Sequence, residues 1–242
     1  MKNFVTRTAI AAVVVAVGSA ASMAHANTVD VKFLGTSKGS NVKIVTPGGT
    51  SNVFAGQLRH QINNGTGLGA MFNGTYVTYC SDANQFVSGT TKQFNIVPVQ
   101  DVPGTTPMGV AKANALTNLY TFASGNHILS TVSNDYAAAF QLAVWEIIYD
   151  FNANVGLSSL DIATGTFSAK NTNNSALSSS IANQVNTFLG GVFNLPEGAP
   201  AAELAGITHA TAQDQIVQVP SPGAIALAGL GGLMFAKRRR GM

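Results

Sequence analysis

Cysteine is the residue this 242-residue chain most conspicuously lacks: Cys80 stands alone. A single thiol forms no intramolecular disulfide and supplies no cysteine-rich zinc site, so both usual staples of small exported domains are excluded. Charge is scarce as well. Only 10% of the residues are Asp, Glu, Lys or Arg, against about 25% in an ordinary soluble domain, so solubility must rest on Ser, Thr, Asn and Gly. No apolar run approaches the about 20 residues that a membrane-spanning helix needs. Phosphate-loop and dinucleotide patterns are missing, since glycine pairs such as Gly48-Gly49 lack a strand-to-helix context. No segment repeats, which removes solenoids and propellers. His60, His127 and His209 are scattered without ligand spacing, so neither a metal nor any cofactor is expected.

What charge there is has been sorted along the chain. Six of the thirteen cations lie at the two ends, as Lys2, Arg7, Lys237, Arg238, Arg239 and Arg240, while all ten acids are internal. Seven internal cations against ten acids leave the middle at −3, which removes the electrostatic case for nucleic-acid binding. The basic ends read as addresses. Residues 1–26 combine Lys2 and Arg7, an apolar segment from Ala9 to Val17, and the small-x-small pattern Ala24-His25-Ala26, which is the order of a secretory signal with a mature start at Asn27. A transmembrane anchor is the alternative, and nine apolar residues are too few for it.

The other end, residues 219–242, runs Val219-Pro220-Ser221-Pro222-Gly223, then apolar Ala224 to Ala236, then Lys237-Arg238-Arg239-Arg240. Prolines stop regular structure, the apolar stretch partitions into a membrane, and the cations favour the cytoplasmic face. In that order the segment resembles the PEP-CTERM sorting tail that exosortase-type enzymes recognise in bacteria with a Gram-negative envelope; Ser221 stands where that signal most often has Glu. A plain C-terminal membrane tail is the alternative. The resemblance implies an exosortase-type partner, transient membrane contact, and a cell-envelope, surface or extracellular-matrix location.

Between these ends lies one domain, residues 27–218. Val29–Phe33, Asn41–Val45, Tyr76–Cys80 and Lys92–Ile96 alternate polar and apolar positions, as half-buried strands do, with turns at Pro47-Gly48-Gly49 and Asn63-Asn64-Gly65. Helical spacing takes over after Pro103: a first helix from Pro107, a second opening at Asn134 or Asp135 and running to Asp150, and a third from Ser175 to Leu189 ended by Gly190. Gly165 to Asn174 reads as a loop or short strand, and Gln215-Ile216-Val217 as a closing strand. The expectation is an α+β fold: an antiparallel sandwich or barrel-like half with an inserted lobe of about three helices.

Two residues do not fit a bland core. The second helix is apolar nearly all round, so it is buried on most faces, yet Gln141 falls on one stripe with Trp145 and Ile148. A buried carboxamide left unpaired costs about 1–3 kcal/mol. Hydrogen bonding to loop backbone is one answer. Cys80 is the other oddity, a lone thiol at the end of an aromatic strand in an exported chain; it is either a small buried hydrophobe or a group with a use. If the two meet, the sulfur can attack the amide carbon, release ammonia and leave a thioester.

Tyr79-Cys80-Ser81-Asp82 and Ala139-Phe140-Gln141-Leu142-Ala143-Val144-Trp145-Glu146-Ile147 resemble the paired motifs of thioester domains found in surface adhesins, over roughly residues 30–190. Ser81 and Ala83 depart from the apolar residue and leucine usual there. The resemblance implies a Cys80–Gln141 cross-link, with Tyr79 and Trp145 packed round it and Asp82 supporting the strand end, and an amine-bearing surface or matrix partner captured once. That makes a covalent binder, not an enzyme. A structural matrix protein without a reactive bond is the alternative, and a cysteine hydrolase a third reading, which would require His60 or His127 as the base beside Cys80.

Overall fold

The computed structural model describes residues 27–123 and 132–219. Among the described residues seven strands and three α-helices follow in the order β1 (Thr28–Thr46), β2 (Gly49–Asn63), β3 (Gly74–Cys80), β4 (Lys92–Pro98), α1 (Gly109–Ala123), α2 (Asn134–Asp150), β5 (Ser168–Asn171), α3 (Ser179–Gly191), β6 (Leu204–His209) and β7 (Ala212–Gln218). All strand pairs are antiparallel. The order β2-β3-β7-β6-β4-β1 returns to β2 through the β1–β2 pair, so six strands close a circuit and leave β5 outside it. This is the expected α+β fold with a barrel-like half and a helical lobe.

The β1–β2 hairpin belongs to both halves. Near its start, Thr28–Val31 pairs with β4 inside the circuit, whereas Val42–Val45 pairs with β5 beyond it. Register shifts between Phe33 and Gly35 and between Thr36 and Gly39 separate these stretches, and such bulges bend and twist a strand. Gly39 faces Gly56 at the bend, where a Cβ on either would run into the opposite backbone. Val42, Ile44 and Ala55 of the hairpin's outer half share a core cluster with α2.

The core is correspondingly divided. A small cluster that includes Val29, Ile62, Phe94, Ile96 and Ile207 fills the strand circuit, and a larger one surrounds α2. Every residue from Ala137 to Ile148 is buried, as the all-round apolar pattern predicts. Phe140 packs on Tyr79 of β3, Tyr120 of α1 and Phe188 of α3, with ring centroids 4.6, 4.9 and 5.4 Å away. One side chain thus ties sheet to both other helices. Ser133 caps α2 by accepting the Tyr136 N–H at 3.0 Å.

Element boundaries moved for local reasons. α1 starts at Gly109 rather than Pro107 because Gly109 has a left-handed φ of 79°. α3 starts at Ser179 rather than Ser175, since the Ser175 carbonyl accepts the Asn171 N–H in the turn after β5 and Ser178 supplies the cap. α3 continues through Gly190 to Gly191. Two strands, β2 and β6, had no counterpart among the named sequence segments. The expected signal and all of the sorting tail except Val219 lie outside the described residues. Among the described residues no helix is long and apolar enough to cross a membrane.

Candidate functional site: the Cys80 and Gln141 pair and an apolar cleft

Cys80 is the last residue of β3, and Gln141 lies in the middle of α2. The structure brings them together. The Cys80 N–H donates to Gln141 Oε1 at 2.8 Å, and Gln141 Nε2 donates to the Cys80 carbonyl oxygen at 2.9 Å. Strand geometry explains this pairing. β2 accompanies β3 only as far as Leu58 opposite Thr78, while β7 lies along the other edge at Tyr79 and Cys80. Successive residues of a strand direct their backbone groups to opposite sides, so Cys80 faces the side that β2 has left. The Gln141 carboxamide occupies the vacated place and extends the ladder by one residue. Both groups are buried, 2% and 1% exposed, so the bonds form away from water's competition.

The sulfur has its own partners. Cys80 Sγ donates to the Asp82 carbonyl oxygen at 3.0 Å. Burial pushes the thiol well above its usual pKa, and the Asp82 carboxylate pushes the same way, while contact with the Trp145 indole N–H favours the thiolate. That indole N–H nevertheless meets no acceptor at hydrogen-bonding geometry. At neutral pH the group is a thiol. Asp82 lies in the turn after β3, where Oδ1 accepts the Asn84 N–H at 2.9 Å and Oδ2 the Thr105 hydroxyl at 3.4 Å.

Trp145 is one helical turn beyond Gln141 and packs on Phe167 at 6.0 Å. It lines, with Cys80, a cleft of about 200 Å³ whose walls include Phe33, Val53, Phe54 and Phe86. Tyr79 is placed differently. Adjacent residues of β3 reach adjacent residues of α2, so Tyr79 packs on Phe140 while Cys80 meets Gln141, and Tyr79 supports the strand from behind rather than walling the cleft.

Several supporting groups escaped the sequence reading. Tyr149 continues the Gln141–Trp145 stripe by another four positions, which was legible; it stacks on Phe167 at 5.7 Å and 9°, and its oxygen accepts from Asn84 Nδ2 at 3.3 Å. Burial, then the charges of Asp82 and Cys80, push its pKa to about 12. From β7, Gln213 donates to the carbonyl oxygens of Asp82 and Gln85 at 3.4 and 2.7 Å, and the Asp214 carbonyl accepts the Ser81 N–H at 3.0 Å. These β7 contacts fix the turn that accepts the thiol proton. Nothing in the local sequence advertised them, because they come from more than a hundred residues away.

His60 turns toward the interior of the strand circuit, with Nδ1 2.9 Å from Thr78 Oγ1 and its pKa lowered to about 4 by burial. It is absent from the groups acting on the thiol, and His127 lies outside the described residues. Of the sorting residues, Val219 donates its N–H to the Glu203 carbonyl at 2.8 Å, while Pro220, Ser221, Pro222, Arg238, Arg239 and Arg240 lie outside the described residues. Among the described residues no cluster of three or more His, Cys, Asp or Glu side chains could hold a metal ion.

No protein-family model, curated protein or solved structure matches the chain.

Proposed function

We propose that this is an exported surface or matrix protein in which Cys80 and Gln141 form an internal thioester that is spent once, on an amine. The observation that carries the reading is the reciprocal pairing of the Gln141 carboxamide with the Cys80 main chain at 2.8 and 2.9 Å. An N–H on the carbonyl oxygen polarises the carbon under attack and stabilises the oxyanion that follows, the arrangement of an oxyanion hole. The sulfur of the same residue attacks that carbon. Its proton leaves with the amide nitrogen as ammonia, and a sulfur–carbonyl bond replaces the carbon–nitrogen bond. The second half returns the thiol: a primary amine attacks the thioester carbonyl, one amine proton passes to sulfur, and Gln141 is left joined to the partner by an amide. Nothing turns over.

The apolar cleft supports this reading because exclusion of water slows hydrolysis until an amine enters. The tail would be read by an exosortase-type enzyme at the membrane, delivering the domain to the envelope, the surface or the extracellular matrix. Intact-mass measurement of the purified protein tests the reading. The expected mass is one ammonia below that of the sequence, methylamine restores a whole adduct, and Cys80→Ala removes both effects. A full sequence mass with no methylamine adduct would sink it. The second reading, a structural matrix protein without a reactive bond, is favoured by one observation: the pairing with Cys80 already satisfies much of the carboxamide.

A further inference from the structure

Forming the thioester removes a hydrogen bond from the turn after β3. With a free thiol, the Asp82 carbonyl oxygen accepts the Cys80 S–H at 3.0 Å. When the sulfur is acylated its proton leaves with the ammonia, and that donor is gone. Asp82 is 3% exposed, so water has little access to the oxygen. A buried acceptor left empty is unfavourable and draws the equilibrium back toward the thiol. A second donor already stands at the same oxygen. Gln213 of β7 carries two N–H bonds on Nε2. It donates to the Gln85 carbonyl oxygen at 2.7 Å and to the Asp82 carbonyl oxygen at 3.4 Å, the long end of hydrogen-bonding range. The first contact holds the amide in place; the second is slack.

The Gln213 amide is also held one way round. Its Oε1 accepts Gln215 Nε2 at 3.1 Å, and Gln215 Oε1 in turn accepts the Thr78 hydroxyl at 3.0 Å. A hydroxyl has one proton to give, so the 2.9 Å contact between Thr78 Oγ1 and His60 Nδ1 uses the imidazole N–H. The chain from His60 through Thr78, Gln215 and Gln213 therefore runs in a single sense and ends in an N–H at Asp82. A flipped Gln213 would set its own oxygen against two carbonyl oxygens. His60, Thr78 and Gln215 are all buried, where such chains polarise and strengthen one another's bonds.

We propose that Gln213 is a positioning residue for the thioester: its slack N–H takes over the Asp82 carbonyl oxygen when the sulfur gives up its proton, and so favours the acylated state over the thiol. This role rests on the thioester reading, whereas the exchange of donors does not. In the reverse direction ammonia attacks the thioester carbonyl, the carbon–sulfur bond breaks, and a carbon–nitrogen bond restores the Gln141 carboxamide. One ammonia proton returns to sulfur, the S–H again reaches Asp82, and Gln213 relaxes.

Two measurements test this. The first compares the Cys80→Ser and Cys80→Ala proteins, which lack the sulfur but keep the main chain that pairs with Gln141. Cys80→Ser retains a donor for the Asp82 oxygen; Cys80→Ala does not. Gln213→Met removes the amide and keeps the side-chain length. It should raise the urea-unfolding equilibrium constant about fivefold more in the Cys80→Ala protein than in the Cys80→Ser protein, roughly the loss of one hydrogen bond. Equal effects would overturn the exchange of donors. The second follows the unsubstituted and Gln213→Met proteins by intact mass across an ammonia series at constant pH. Gln213→Met should lower, by about fivefold, the ammonia concentration that returns half of the molecules to the full sequence mass. An unchanged midpoint would overturn the positioning role while leaving the thioester intact. If the unsubstituted protein shows no mass deficit even without ammonia, the thioester reading and this use of Gln213 fail together, and the comparison of the Cys80→Ser and Cys80→Ala proteins still decides the exchange of donors.

Discussion

α2 buries two polar side chains five positions apart, and they are treated in opposite ways. Gln141 points to the strand side, where its oxygen and nitrogen both meet the main chain of Cys80. Glu146 points to the 156–162 loop, where Oε1 accepts the Asp161 N–H at 2.7 Å and Oε2 meets nothing. Burial, partly offset by that one bond, pushes the Glu146 carboxyl up to about 8, with Asp150 and Asp161 adding like charge. The neutral amide is matched atom for atom at the candidate site. The carboxyl is half matched and is kept protonated near neutrality. Burial of a polar group on this helix is therefore not by itself a sign of function; the reciprocity of its partners distinguishes the two.

Breaking the matched side should cost most. Gln141→Leu leaves the Cys80 N–H and carbonyl buried without partners, and urea unfolding should show a loss of about 3 kcal/mol, with the mass deficit abolished. An effect below about 1 kcal/mol would mean that water or a relaxed β2 takes over the pairing.

The half-matched side should respond in the other direction, and with pH. The folded-state value for Glu146 near 8 lies above its ordinary 4.5, so its favourable contribution is complete below about 4.5 and is lost as pH rises through about 8. Glu146→Gln should leave stability unchanged at pH 4 and raise it by about 2 kcal/mol at pH 9. A parallel shift at both pH values would contradict this assignment. His60 acts oppositely: burial lowers it from 6.5 to about 4, so its contribution is present above about 6.5 and is lost as pH falls toward 4. Stability is then expected to peak between these limits.

Smaller changes sharpen the comparison at the cleft. Trp145→Phe trims the wall beside the sulfur; a stability loss of about 1–2 kcal/mol is expected, with faster hydrolysis of the thioester in a mass time course. Tyr149→Phe removes only the oxygen that accepts from Asn84. Less than about 1 kcal/mol should be lost, with the mass deficit retained.

The period-two pattern made β4 and the two ends of β1 legible, because each has one face on a core and one toward solvent; β3 showed the pattern in sequence although Thr78 to Cys80 are all buried. β2 was not legible, and its residues say why. From Ala55 to Leu58 it is buried continuously, across the bend at Gly56, so the alternation that marks a half-buried strand vanishes. β6 is short and its middle, Ala205 to Ile207, is likewise buried on consecutive positions. Within the site, Gln141, Trp145 and Tyr149 share a helical stripe that the sequence displays. Gln213 and Asp214 reach the Cys80 turn only because β7 pairs with β3.

By itself the sequence determined that α2 would be enclosed, since a helix apolar on every face has nowhere else to go, and that a polar side chain on it would require partners. It also determined that the chain must hold without disulfides. Only the tertiary structure decided who those partners are. The bulged hairpin carries β2 away from β3 beyond Thr78, one edge of Cys80 is left open, and α2 is packed close enough for Gln141 to fill it. That outcome depends on strand register and bend, which arise from pairings distant along the chain and are not written in any local pattern.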